Sequence, residues 1–146
     1  MKILVVDDNK EITEAVSFYL DSIDISCTVT NDGREALQII REREDFDLIL
    51  LDIAMPDFTG LDVVDELKKN NLLVLRNLVF FTASNINEEE LLTRGAKGII
   101  RKPISIEELE SSINKFVSWL SFFDIIIQNI LISLVTSAPV SNVGHE

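Results

Sequence analysis

Asp47-Leu48-Ile49-Leu50-Leu51-Asp52 (DLILLD) sets four consecutive apolar residues between two carboxylates. A strand with one wet face alternates apolar and polar residues. A short unbroken apolar run bounded by polar residues instead predicts a strand covered on both faces, as at the centre of a parallel sheet. Similar β-rich runs flank it on either side along the chain. Lys2–Val6 (KILVV), Ser26–Thr30, Leu78–Thr82 (LVFFT) and Gly98–Arg101 read as four further strands.

Helical periodicity fills the gaps between them. Ile12, Ala15, Val16, Tyr19 and Leu20 share a face over Asn9–Leu20. Asp32-Gly33-Arg34-Glu35 has capping-box spacing ahead of Ala36, Leu37 and Ile40. Thr59-Gly60-Leu61-Asp62 opens a helix carrying Leu61, Val64 and Leu67, and Asn87 caps a short helix through Glu90. Ser105-Ile106-Glu107-Glu108 is a further box, continued by Leu109, Ile113 and Phe116. Strand and helix thus alternate five times. That alternation predicts a parallel sheet with helices on both faces and right-handed crossovers. Such folds bind ligands beyond the carboxyl ends of their strands.

Polar residues gather at those ends. Asp7 and Asp8 follow the first strand, Asp52 ends the third, Thr82 ends the fourth and Lys102 follows the fifth. Clustered carboxylates repel, and a cation is the natural compensation. An all-oxygen site suits magnesium, which shares its shell with water and phosphate oxygens. Lys102 and the Thr82 hydroxyl can each meet a phosphoryl oxygen, and the backbone N–H of Ala83 can donate to one too. Asp52 is then the nucleophile, in a reaction that needs little beyond positioning and charge neutralisation. Taken singly, each of these residues reads as a helix cap or a solvated loop residue; their joint occurrence favours a site.

Four segments resemble bacterial and archaeal response-regulator receivers of two-component signalling: Val5-Val6-Asp7-Asp8-Asn9, Leu51-Asp52-Ile53-Ala54-Met55-Pro56 with Gly60, Phe81-Thr82-Ala83, and Arg101-Lys102-Pro103. The resemblance covers about residues 1 to 118 and implies a single-domain response regulator. It implies a flavodoxin-like α/β fold, a doubly wound five-stranded parallel sheet of order 2-1-3-4-5 in three α/β/α layers. It also implies that Asp52 accepts a phosphoryl group from the phosphohistidine of a histidine kinase or histidine phosphotransfer protein. Asp8, Asp52 and the backbone carbonyl of Ala54 would bind Mg2+, with Asp7 acting through water. Thr82, Ala83 and Lys102 would hold the phosphate, and a downstream protein would dock on about residues 88–116. The peptide before Pro103 is expected to be cis. The chemistry is confined to Asp52 and its autodephosphorylation, so the protein is not expected to be an enzyme in the wider sense. A haloacid-dehalogenase-like phosphatase also uses an aspartate and magnesium, but usually has a second aspartate where this chain has Ala54.

One position departs from the family pattern. Three residues before the lysine the family usually has Tyr or Phe, and here it is Ile99. In the family, the side chains matching Ala54 and Ser84 influence water access to the phosphate, so the resemblance, with an alanine at 54, implies slow to moderate loss of it.

A net charge of −12 argues against nucleic-acid binding. No signal peptide is recognised, so a cytoplasmic location is expected. Cys27 is the only cysteine and is expected to be a buried small residue; His145, the only histidine, falls in the tail. After the receiver (1–118) comes an apolar, helical extension (119–135), then a tail expected to be disordered (136–146). Ile113, Phe116, Leu120, Phe123, Ile127, Ile130 and Leu134 follow steps of three and four, a heptad seam. Homodimerisation, packing back on the receiver and membrane contact all remain open for it. In a phosphorylation-independent alternative the extension makes a constitutive dimer or membrane anchor.

Overall fold

The computed structural model describes residues 1–72 and 76–136, with Leu120 as backbone only. The elements run β1 (Lys2–Val6), α1 (Lys10–Ser22), β2 (Ser26–Thr30), α2 (Gly33–Glu42), β3 (Leu48–Leu51), α3 (Gly60–Lys69), β4 (Leu78–Thr82), α4 (Glu88–Thr93), β5 (Gly98–Arg101) and α5 (Ile106–Thr136). The five strands form one parallel sheet of order β2-β1-β3-β4-β5. The flavodoxin-like arrangement expected from the sequence is therefore the fold of this chain.

Alternation along the strands divides the core between two faces. Leu4 and Val6, Ile49 and Leu51, and Leu78 and Phe80 join Ala36, Leu37 and Ile40 of α2, Val63, Val64 and Leu67 of α3, and Leu91 of α4 in one buried cluster. Ile3, Val5, Leu48, Leu50, Val79 and Phe81 are buried on the other side of the sheet, with Val16 and Leu20 of α1 and Leu109 of α5. All four residues of β3 are buried, as its unbroken apolar run predicts.

Side chains fix where the helices start. Asn9 accepts from the N–H groups of Glu11 and Ile12 at the start of α1. Thr59 and Asp62 close a full capping box on α3. Ser105 and Glu108 do the same before α5, at 3.0 and 3.2 Å. The expected box on α2 is only half made. Asp32 accepts from Arg34 and Glu35, but the Glu35 carboxylate turns aside to accept from the Thr30 hydroxyl. Cys27 is half-buried rather than buried, as suits a residue of β2, the edge strand of the sheet.

Met1–Ser112 forms one compact unit, and a second begins at Ile113. In that second unit the helix continues without a break to Thr136, and residues 121–136 are all exposed. The rings of Trp119 and Phe123 pack at 4.4 Å between centroids. Apart from Thr136, which closes α5, the expected tail falls on 137–146, outside the described residues.

Candidate functional site

The sheet brings the strand-end residues together. Asp7 follows β1, and its N–H donates to the Thr30 carbonyl at 3.2 Å. Asn31 fixes the same corner from the end of β2, donating to the Asp7 carbonyl at 2.7 Å and to the Thr13 hydroxyl at 2.9 Å. Asp52 follows β3, tied to β1 by its N–H on the Val6 carbonyl at 2.9 Å. Its carboxylate accepts from the Ile53 N–H, also at 2.9 Å. Carboxylate oxygens of Asp7, Asp8 and Asp52 lie within 4.8 Å of one another. Asp7 and Asp52 are buried and Asp8 is exposed, so the cluster opens to solvent on one side.

Lys102 answers this charge. Its ammonium donates to the Asp7 carboxylate and lies 3.7 Å from Asp52 Oδ1. Its Nζ also sits 4.9 Å from the centre of the Phe81 ring, an apolar wall that holds the charge against the acids. The Lys102 N–H donates to the Thr82 carbonyl at 3.0 Å, and the Lys102–Pro103 peptide is cis. Thr82 is fully buried at the end of β4, and its hydroxyl accepts from the Ser84 N–H at 3.1 Å. Ala54 and Ala83 are both exposed, on the loops after β3 and β4.

Burial raises the Asp52 carboxyl above the usual aspartate range, and the charge on Asp7 adds to this. Lys102, the Thr82 hydroxyl and the Ile53 N–H act in the opposite direction. A raised folded-state value means that the folded protein holds this proton more tightly than the unfolded chain. Stability from this group is therefore greatest below the ordinary aspartate range and falls as pH rises through the raised folded-state value. Asp52→Asn removes the charge and keeps the shape. In the absence of divalent cation it is expected to raise stability at pH 7 by about 1 kcal/mol, or about 4 °C. Thermal melts across pH check this: the gain shrinks as pH falls toward 4, and a gain independent of pH would contradict the electrostatic account.

Two residues that hold this corner went unnoticed in the sequence. Asn31 carries no signal beyond its place after a strand. Arg101 lies inside a recognised segment, but its contacts run back to a loop 15 and 17 residues earlier.

The family model for the response regulator receiver domain matches residues 3–114. The chain belongs to this family. The receiver is 31% identical over 118 residues to response regulator SaeR of Staphylococcus aureus (strain USA300), covering 80% of this chain and 50% of that protein. It thus spans about half the length of the curated relatives it matches. Its fold is shared with the Francisella response regulator 1452 receiver domain, at a TM-score of 0.72 and 31% identity over 82% of this chain and 98% of that one. It is also shared with the response regulator TrrA of Thermotoga maritima, solved in complex with Mg(2+)-BeF, at 0.67 and 29% over 79% and 97%. The receiver is accordingly a signalling domain of two-component systems, with an acidic pocket at the ends of its strands.

Proposed function

We propose that this receiver is switched by phosphorylation of Asp52. The observation that carries the reading is the convergence of Asp7, Asp8, Asp52, Thr82 and Lys102 on one corner from the ends of four strands. An Asp52 carboxylate oxygen attacks the phosphorus of a phosphohistidine on a histidine kinase or phosphotransfer protein. The P–N bond breaks, its electron pair stays on the imidazole, and an acyl phosphate forms. Lys102 shifts from Asp7 to the incoming phosphoryl oxygens, and the Thr82 hydroxyl and Ala83 N–H take the others. The donor set is all oxygen and suits a hard divalent cation. Asp8, Asp52 and the Ala54 carbonyl would hold magnesium, with Asp7 acting through water, and such an ion supplies further positive charge to the transferring group. Support for that choice comes from TrrA, which is described with Mg(2+)-BeF. Water later hydrolyses the acyl phosphate, at a slow to moderate rate because Ala54 offers no group to orient it. The output is a protein–protein contact through about residues 88–116, in the cytoplasm and without nucleic acid.

The test is the intact mass of the full chain after incubation with acetyl phosphate and magnesium. One phosphoryl adduct is expected, and none in Asp52→Asn. A folded wild-type protein that takes up no phosphoryl group would overturn the reading.

A second reading rests on the exposed apolar stretch of α5. The helix is long and apolar enough to cross a membrane, by length and composition alone. Here the extension makes a dimer or a membrane attachment, with or without phosphate. Sedimentation of the full chain against one ending at Lys115 decides the dimer, and a monomer in both cases excludes it.

A further inference from the structure

Ile99 has neither ring nor hydroxyl with which to sense the state of Thr82. It is half-buried against the core on the α4 side of the sheet. The next residue of β5 on that same face is Arg101, which is exposed. Arg101 is also the register partner of Thr82 across the β4–β5 pair. Its guanidinium is forked over the loop that follows β4. One nitrogen donates to the Ser84 carbonyl and the other to the Ile86 carbonyl, the second at 2.7 Å. Among the described residues, no other side chain from a different element donates to a carbonyl of 83–87.

The bonds inside the loop run back to the site. The Ser84 N–H is held by the Thr82 hydroxyl at 3.1 Å, and the Ile86 N–H by the Ser84 hydroxyl at 3.4 Å. A continuous line of hydrogen bonds therefore joins Thr82 to Ser84 and Ser84 to Arg101. The geometry points to Arg101 as the positioning residue that clamps the β4–α4 loop in its resting arrangement and releases it when Thr82 and Ala83 engage a phosphoryl group. This rests on the reading of Asp52 given above. A guanidinium fits the role because its rigid fork meets two carbonyls at once, which fixes the loop's shape as well as its position. Its exposure suits release, since water replaces both acceptors as the fork opens. On opening, a positive charge is freed from the loop that leads into α4, whose first turn carries Glu88, Glu89 and Glu90. The surface offered to a partner changes there without any aromatic ring turning inward.

A clamp that stabilises only the resting arrangement must oppose the engaged one, so removing it should favour phosphoryl uptake. The experiment compares the full-length wild type with Arg101→Gln and Arg101→Lys, measuring uptake from acetyl phosphate with magnesium and amide exchange over 84–87. In the wild type, adduct formation is expected to speed exchange of these amides about tenfold. Arg101→Gln is expected to exchange at the fast rate without phosphodonor, and to take up the phosphoryl group about fivefold faster or more. Arg101→Lys keeps the charge but cannot span both carbonyls, and is expected to follow Arg101→Gln. Unchanged or slower uptake in Arg101→Gln would reduce the fork to a structural tie and overturn the inference. So would Arg101→Lys behaving as wild type. Loss of the adduct from the wild type overturns the Asp52 reading instead, while exchange in the donor-free variants still reports on the clamp.

Discussion

Gly60→Ala is expected to cost about 3 kcal/mol, which lowers the melting temperature by roughly 12 °C in a domain of this size. A Cβ at this position would stand 2.2 Å from the Asp52 carbonyl oxygen, 3.0 Å from the Asp52 carbonyl carbon and 3.0 Å from the Ile53 Cα. All three are backbone atoms of the segment that carries the acceptor, so no flexible side chain can swing away. The Gly60 N–H donates to the Ile53 carbonyl at 3.0 Å, which draws the start of α3 onto the end of β3. A methyl group pries this contact open, and Asp52 moves with its own carbonyl. A displacement near 1 Å at a reacting group costs about a hundredfold in rate. Phosphoryl uptake should therefore fall by about that factor even where the variant remains folded. Thermal melts and adduct mass on the same sample check both parts. A stable variant with normal uptake would show that the contact is looser than these distances imply.

Lys102→Ala is expected to separate stability from chemistry. The ammonium is paired with Asp7, whose side chain is only 1% exposed, and lies near Asp52. Removing one member of a buried pair leaves the other charge stranded, at a cost of about 3–5 kcal/mol. Two buried carboxylates would then face each other uncompensated. A divalent cation should restore much of this loss, because the acids remain able to share it. Melts with and without magnesium measure the recovery, and no recovery would count against a cation site at Asp7, Asp8 and Asp52. Uptake should stay low even with magnesium. Loss of one preorganised donor to a developing charge costs about a hundred- to thousandfold. Together with the stability gain expected for Asp52→Asn, this gives opposite signs at two neighbouring residues. That pattern separates a charge-balanced site from an ordinary core.

Strand bounds were legible where an apolar run met a clear stop. Lys2–Val6, Ser26–Thr30, Leu78–Thr82 and Gly98–Arg101 coincide with β1, β2, β4 and β5. β3 is shorter by one residue at each end than DLILLD suggests. The Asp47 carboxylate accepts from the Lys2 N–H, and Asp52 turns toward the acidic cluster. The acids, Thr82 and Lys102 were readable together because parallel α/β folds gather strand ends in one place. Asn31 and Arg101 were not, since each works through a contact distant in sequence that no local pattern encodes. Glu35 shows the opposite error: the spacing of a capping box was present, but a nearer hydroxyl captured the side chain.

The strand order also bears on the path by which the molecule assembles. β1 pairs with both β2 and β3, so the first half of the chain can lay down three adjacent strands through connections that are short in sequence. β4 and β5 then add in turn at one edge. Asp7, Asp8 and Asp52 belong to the early strands, whereas Lys102 arrives with the last. Without β5 the sheet would carry the three carboxylates but not the ammonium that answers them. Pairing of β5 on β4 therefore completes the charge balance of the acidic corner as well as the edge of the sheet.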